Sequence, residues 1–231
     1  MQNLFERVGA TTYPGRGIVA GRTQDGEKLF LAYFIMGRSE NSRNRVFVKT
    51  EDGIRTEAHD PSKMVDPSLI IYAPVRRVGS ATIVTNGDQT DTVRDFLNEN
   101  RTFAEALRTR AFEPDKPNFT PRISMLVEAD GSVQMGILKS GAPDGATCVR
   151  NFFEYESIPA GTARFLHTYL SDGSPIPSFE GEPEQASLTG DFESLTNGIW
   201  NALNADNRVS LWTEMLDLKT GTYAEQIINR Y

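Results

Sequence analysis

Cysteine and histidine are nearly absent from this chain: its 231 residues include one cysteine, Cys148, and two histidines, His59 and His167. A lone cysteine closes no internal disulfide, so the fold must rest on its core, which suits a reducing cytoplasm. The two histidines lie far apart, and neither sits in a ligand spacing such as HExxH, so no catalytic zinc is expected. Basic residues are outnumbered, 24 Lys and Arg against 31 Asp and Glu, for a formal net charge of −7. That balance argues against nucleic acid as a partner, which calls for a basic face to displace counterions. No apolar run approaches the length of a membrane-spanning helix. The opening MQNLFERVGA has no basic stretch followed by a long apolar one. The expectation is a soluble cytoplasmic protein with no membrane partner. GxGxxG, GxxxxGK[ST] and GxSxG are all missing, which removes the standard dinucleotide site, the standard NTP site and the serine-hydrolase elbow.

What is present is strand signal and arginine. A composition of 39% apolar and 24% charged residues suits one sizeable domain over residues 1–231. Gly17–Arg22 and Lys28–Met36 read as strands joined by a Gln24-Asp25-Gly26 turn. Arg45–Lys49 with Ile54–Glu57, and Ser68–Val78 with Ala81–Thr85, read as two more hairpins. Between residues 90 and 112 the period changes. Val93, Phe96 and Leu97, then Phe103, Ala106 and Leu107, predict two short helices, with Thr102 and Glu105 as a capping box for the second. Strands follow at Arg122–Glu128, Val133–Leu138, Cys148–Tyr155 and Thr162–Leu170. Residues 171–187 read as a long surface loop. Asp191 is placed to cap a helix ending near Leu203, and Val209–Leu218 reads as a strand with a further one in the tail. Strands grouped apart from helices indicate an α+β fold, with two packed sheets and helices outside.

The arginines concentrate where an apolar strand stops. Leu29–Met36 ends at Gly37, and Arg38, Arg43 and Arg45 follow. A guanidinium fork gives two parallel hydrogen bonds to phosphate or carboxylate, so this loop is a candidate oxyanion site; its bland reading is a solvated turn. Asn86-Gly87-Asp88-Gln89-Thr90-Asp91 falls between a strand and a helix. It can hold an anion on backbone N–H groups, or simply cap the helix through Thr90 or Asp91. Glu113 and Asp115 precede Thr120-Pro121-Arg122. Carboxylates beside an arginine are either a plain salt bridge or an acid/base pair. Tyr72, Arg76 and Arg77 lie on or just past an apolar run.

In this order, Tyr13-Pro14-Gly15-Arg16, Gly37-Arg38-Ser39 through Asn44-Arg45, Tyr72 with Val75-Arg76, Val84 through Asp91, and Thr120-Pro121-Arg122-Ile123 resemble the archaeal-type IMP cyclohydrolases and their bacterial relatives. The likeness covers roughly the first 125 residues. This chain departs from the pattern at Asn118-Phe119, where an asparagine directly before the threonine is expected, and in a longer arginine loop. The resemblance implies a four-layer αββα sandwich like that of N-terminal-nucleophile hydrolases, and a homo-oligomer with no metal or organic cofactor. It also implies closure of 5-formamidoimidazole-4-carboxamide ribonucleotide, a small purine nucleotide precursor, to IMP with loss of water. On that reading Tyr72 and Arg38 stabilise developing charge, and Glu113 or Asp115 moves protons. Arg16, Arg45, Asn86, Gly87, Thr90, Asp91, Thr120 and Arg122 hold the base or the phosphate. Besides a cyclohydrolase of altered substrate range, two alternatives stay open at this level. One is an N-terminal-nucleophile amidohydrolase, which needs cleavage before Thr11 or Thr12. The other is a nucleotide-binding protein that has kept the fold without the chemistry.

Overall fold

The computed structural model describes all residues from 1 to 231. The chain runs through helix α1 (Leu4–Val8), strands β1 (Arg16–Arg22) and β2 (Lys28–Met36), and a one-turn helix α2 (Glu40–Arg43). Strands β3 (Arg45–Thr50), β4 (Gly53–Ala58), β5 (Val75–Val78) and β6 (Ala81–Thr85) lead to helices α3 (Gln89–Asn98) and α4 (Phe103–Arg108). Then come β7 (Arg122–Val127), β8 (Val133–Ser140), β9 (Cys148–Tyr155), β10 (Thr162–His167), β11 (Glu184–Ser187), helix α5 (Phe192–Ala202), β12 (Arg208–Asp217) and β13 (Tyr223–Asn229). A six-stranded sheet has the order β11-β10-β1-β2-β12-β13, and a seven-stranded sheet runs β3 through β9 in sequence. Every neighbouring pair is antiparallel.

Strand β2 shows why the sheets stack. It is apolar at every position after Lys28, so both faces must be covered. Leu29, Leu31, Tyr33 and Ile35 face the core between the sheets, where they meet Phe47, Ile54, Val84, Ile123, Met125 and Ile137 of the other sheet. Phe30, Ala32, Phe34 and Met36 face outward and are covered by Leu4 and Val8 of α1 and by Leu195 and Ile199 of α5. A third core joins Ile83, Leu126 and Leu138 on the outer face of the seven-stranded sheet to Val93, Phe103, Ala106 and Leu107 of α3 and α4. Each large apolar side chain buried this way contributes about 1.5–3 kcal/mol. No helix is long and apolar enough to cross a membrane.

Three sequence expectations need correction. The strand expected from Ser68 begins only at Val75. Pro67 starts a turn that takes the Ile70 and Ile71 amides, and the Tyr72 amide is held by the Thr56 hydroxyl rather than by a ladder. The stretch 171–187 is not all loop: Glu184–Ser187 pairs with β10, and Ile176 and Phe179 are buried. The first helix after β6 starts at Gln89, so neither Thr90 nor Asp91 is its cap. Two short helices, α1 and α2, went unread because neither has the length to show a period. Both rest on capping boxes, Asn3 with Glu6 and Ser39 with Ser42.

Candidate active site

The antiparallel registers gather the notable residues at one end of the two sheets. Arg16 opens β1 opposite Ile35 near the end of β2, and the chain returns through α2 to place Arg45 at the start of β3. In the other sheet, Val75 at the start of β5 pairs with Val84, and Thr85 at the end of β6 pairs with Ser124. Tyr72, Asn86, Gly87 and Arg122 therefore share that end, and the loop from α4 to β7 brings Glu113, Asp115 and Thr120. Gly15 makes the approach possible. Its φ is +80°, and an added Cβ would lie 2.3 Å from Thr168 Oγ1 and 2.5 Å from the Tyr169 ring.

The arginines separate cleanly. Arg38 sits at the rim, half-exposed, donating to Asp172 Oδ1 at 2.5 Å and to the Gly173 carbonyl at 2.9 Å. Its guanidinium lies 5.1 Å from the centre of the Tyr13 ring. Arg43 is spent on the Gly37 carbonyl and Asn207 Oδ1. Arg45 alone of the three turns inward and is fully buried; Nε donates to the Ser42 carbonyl, Nη2 reaches the Met36 carbonyl at 3.4 Å, and Nη1 has no partner. Burial, and then the neighbouring Arg16, lowers the pKa of Arg45. The Arg16 guanidinium is also buried and makes no hydrogen bond or ion pair; its Nε is sealed without an acceptor. Arg122, by contrast, is satisfied: Nη1 meets Asp88 Oδ1 at 2.7 Å and Gln89 Oε1 at 2.5 Å. Asp88 is shared with Arg110.

The carboxylates separate as well. Asp115 accepts from the Thr120 amide at 2.7 Å and from the Thr120 hydroxyl at 2.5 Å. That hydroxyl has one proton, so the 2.5 Å contact between Thr120 Oγ1 and the Tyr169 hydroxyl must be a donation from Tyr169. Asp115 and Thr120 thus hold the loop and Tyr169 in place. Glu113 is different. It is only 2% exposed, its side chain accepts no hydrogen bond and it has no ion-pair partner, although Arg16, Arg122 and Arg45 all lie within electrostatic reach. Burial pushes its pKa up to about 7 against the pull of those arginines, with Asp115 adding to the rise. A carboxyl group poised near neutrality in a buried cationic setting is a candidate proton carrier.

The remaining expected residues form the frame. Asn86 Oδ1 accepts from the Ile123 amide and from Gln89 Nε2, and its Nδ2 donates one proton to the Pro121 carbonyl, so the side chain is held within the protein. Gly87 is required by closeness: a Cβ there would lie 2.3 Å from Arg122 Nη1. Its amide donates to the Thr85 hydroxyl. Thr90 is buried against Thr85 and the Gly87 carbonyl. Asp91 is paired with Arg76 and Arg94 away from Glu113. Arg38 and Asp91 therefore stand outside the buried cluster that Arg16, Arg45, Tyr72, Glu113 and Arg122 share. Residues that sequence reasoning left without a role also lie here. Tyr33 meets Tyr72, hydroxyl to hydroxyl, at 2.7 Å, and Tyr13 stacks on Tyr169 at 5.9 Å. A tyrosine within the all-apolar run of β2 was the available signal for Tyr33, because a buried phenol must find a partner.

The gap between Tyr72, Gly87, Asp88, Glu113 and Arg122, lined also by Ser68 and Leu69, is too narrow to admit a water molecule. A larger cavity of about 570 Å³ lies on the other side of Tyr72, lined by Thr56, Met64, Ile71 and Arg76. Its charges are already paired, Arg76 with Asp52 and Asp91, and Arg55 with Glu57. Glu113, which has no partner of its own, lines the narrower gap instead.

A family model described as IMP cyclohydrolase-like protein matches residues 13–221. The chain belongs to this family. The match reaches well past Arg122, so the second half, whose likeness in sequence was limited to length and strand content, is part of the family pattern. The chain is 29% identical to the IMP cyclohydrolase of Methanococcus aeolicus over 162 residues, 68% of this chain and 74% of that one. It is 29% identical to that of Methanopyrus kandleri over 182 residues, 73% and 89% of the respective chains. A Methanococcus maripaludis IMP cyclohydrolase is 33% identical over 129 residues, 54% of this chain and 62% of the relative.

Proposed function

We propose that this protein is an IMP cyclohydrolase, closing 5-formamidoimidazole-4-carboxamide ribonucleotide to IMP with release of water. The observation that carries the reading is Glu113, a buried carboxyl group with a pKa near 7, set among arginines and facing no partner of its own. The relatives named above carry the same activity in their names.

The chemistry fits the residues. Nucleophile and electrophile belong to one substrate, so binding need only fix the rotamers of the carboxamide and formamide groups. The carboxamide nitrogen attacks the formyl carbon, forming a C–N bond. The carboxamide nitrogen and the formamide nitrogen each lose one proton, and both protons leave with the formyl oxygen as water. Glu113 takes the proton from the attacking nitrogen and returns it to the departing oxygen, a cycle that suits a group half-ionised at neutral pH. The Tyr72 hydroxyl donates to the formyl oxygen as negative charge builds there. Arg16 and Arg45, whose charge no carboxylate neutralises fully, hold the anionic substrate through its 5′-phosphate. Arg122 is fixed by Asp88 and Gln89 and supports the wall beside Gly87. Asp115 and Thr120 are positioning residues that set Tyr169 and the Glu113 loop. Ser68 and Leu69 move to admit the nucleotide, since ligand sites of this kind occupy about 300–1,000 Å³.

The amidohydrolase alternative is disfavoured by α1. Cleavage before Thr11 would remove Leu4 and Val8, both buried in the core under α5, and the Gln2 carbonyl that accepts from the Ser187 amide. The helix–sheet–sheet–helix order of the three cores supports an αββα sandwich of the N-terminal-nucleophile type, as one domain working as a cytoplasmic homo-oligomer. Supplying the formylated ribonucleotide and following IMP absorbance tests the function. Turnover lost in Glu113→Gln but kept in Asp115→Asn, at reduced level, supports the assignment. Saturable nucleotide binding without turnover supports the non-catalytic alternative instead.

A further inference from the structure

We infer that Tyr33 is a positioning residue for ring closure: its hydroxyl donates to the Tyr72 oxygen and so leaves the Tyr72 proton free for the substrate. The inference rests on the cyclohydrolase reading above. Tyr33 lies on the inner face of β2, fully buried, with its ring stacked on Phe47 at 5.7 Å. Its hydroxyl has one hydrogen-bond partner, the Tyr72 hydroxyl at 2.7 Å. Tyr33 is sealed on every side, so its hydroxyl proton has no acceptor but the Tyr72 oxygen, whereas Tyr72 lines the space beside Glu113 and has an open side for its own proton. The donor is therefore Tyr33 and the acceptor Tyr72.

That direction has a consequence for the reaction. A phenol that accepts a hydrogen bond is polarised into a better donor, because hydrogen bonds in a chain strengthen one another in a low-dielectric site. When Tyr72 donates to the formyl oxygen, the charge that gathers on its own oxygen meets Tyr33 on one side and the arginines on the other. Tyr33 touches no substrate atom in this scheme. Its rigid seat between Phe47 and the core fixes where the Tyr72 hydroxyl points.

The test compares Tyr33→Phe, Tyr72→Phe and the double variant in steady-state turnover. Alongside it, fluorine NMR follows protein labelled with fluorotyrosine, with the Tyr72 resonance identified by its loss in Tyr72→Phe. Tyr33→Phe should lower kcat about tenfold, the worth of one good hydrogen bond, with KM unchanged. It should cost nothing further once Tyr72 is phenylalanine. The Tyr72 ionisation midpoint should move to higher pH in Tyr33→Phe, a shift that lost packing alone does not produce. Full turnover with an unmoved Tyr72 midpoint, or additive losses in the double variant, overturns the inference alone. No turnover in the wild type overturns the cyclohydrolase reading, and with it any role of Tyr33 in ring closure.

Discussion

Replacing Arg16 by methionine should make the unliganded protein more stable at pH 6 while crippling it as an enzyme. The guanidinium of Arg16 is buried and makes no hydrogen bond or ion pair. Burial lowers its pKa, while Glu113, Tyr13, Tyr169 and Tyr72 raise it and prevail. Those opposing groups help only when ionised. At pH 6 the phenols are neutral and Glu113 is mostly protonated, so the burial penalty stands almost uncompensated. Exchanging an ill-compensated buried charge for an apolar side chain of similar volume gains about 1–4 kcal/mol. For a chain of this size that corresponds to a rise in Tm of roughly 2–10 °C. Above pH 8 Glu113 is ionised and Arg16 is the arginine that acts on it most strongly, so the gain should shrink or reverse. Calorimetry in phosphate-free buffer at pH 6 and pH 8.5 measures both values. Added IMP should raise the Tm of the wild type and leave Arg16→Met nearly unmoved, because binding stabilises only a state that binds. A fall in Tm at pH 6 would show that the charge is compensated after all, and would refute the view that Arg16 waits for an anion.

Other outcomes follow from the same geometry. Glu113 has a raised pKa, so the folded state holds a proton that the unfolded chain releases between about pH 4.5 and 7; stability from this group is lost as pH rises through that window. Glu113→Gln should be more stable than wild type at pH 8 by about 3 kcal/mol and no more stable near pH 4, as urea titrations at the two pH values would show. His167 has the opposite sign. Burial between Phe165 and Phe179 lowers its pKa to about 4, so stability is lost as pH falls from 6.5 towards 4, and His167→Phe should flatten the acid limb of a Tm profile. Arg45→Ala should raise KM more than it lowers kcat, by about 30-fold or more, read from initial rates. Gly15→Ala faces both a positive φ and a Cβ only 2.3 Å from Thr168 Oγ1, and should cost at least about 1–3 kcal/mol by thermal unfolding.

Part of the fold was legible because a β-strand buried on both faces leaves a long apolar run, as Lys28–Met36 does; the edge strand Cys148–Tyr155 also has the bounds expected, and α5 begins just after the Asp191 cap. The segment before β5 misled because Ser68–Ile71 has strand-like composition but turns on Pro67, with its polar backbone taken up by Thr56. At the site, the sequence marked Arg16, Arg45, Tyr72, Glu113 and Arg122, which meet in space. It did not separate Arg45 from Arg38, or Glu113 from Asp115. Those distinctions rest on what each side chain already touches: Asp172 for Arg38, Thr120 for Asp115, and nothing for Arg16 or Glu113. Tyr169 and Tyr33 went unassigned because an isolated tyrosine on a strand looks like core until its hydroxyl partner is known.

Glu113 is the proposed proton carrier in the formation of IMP. Its most direct test is the rate of IMP formation against pH in wild type and Glu113→Gln, with the formylated carboxamide ribonucleotide as substrate. The wild type should show a limb in kcat/KM near pH 7, and the variant a rate lower by at least about a hundredfold with no such limb. A variant that keeps both the rate and the limb would contradict that role.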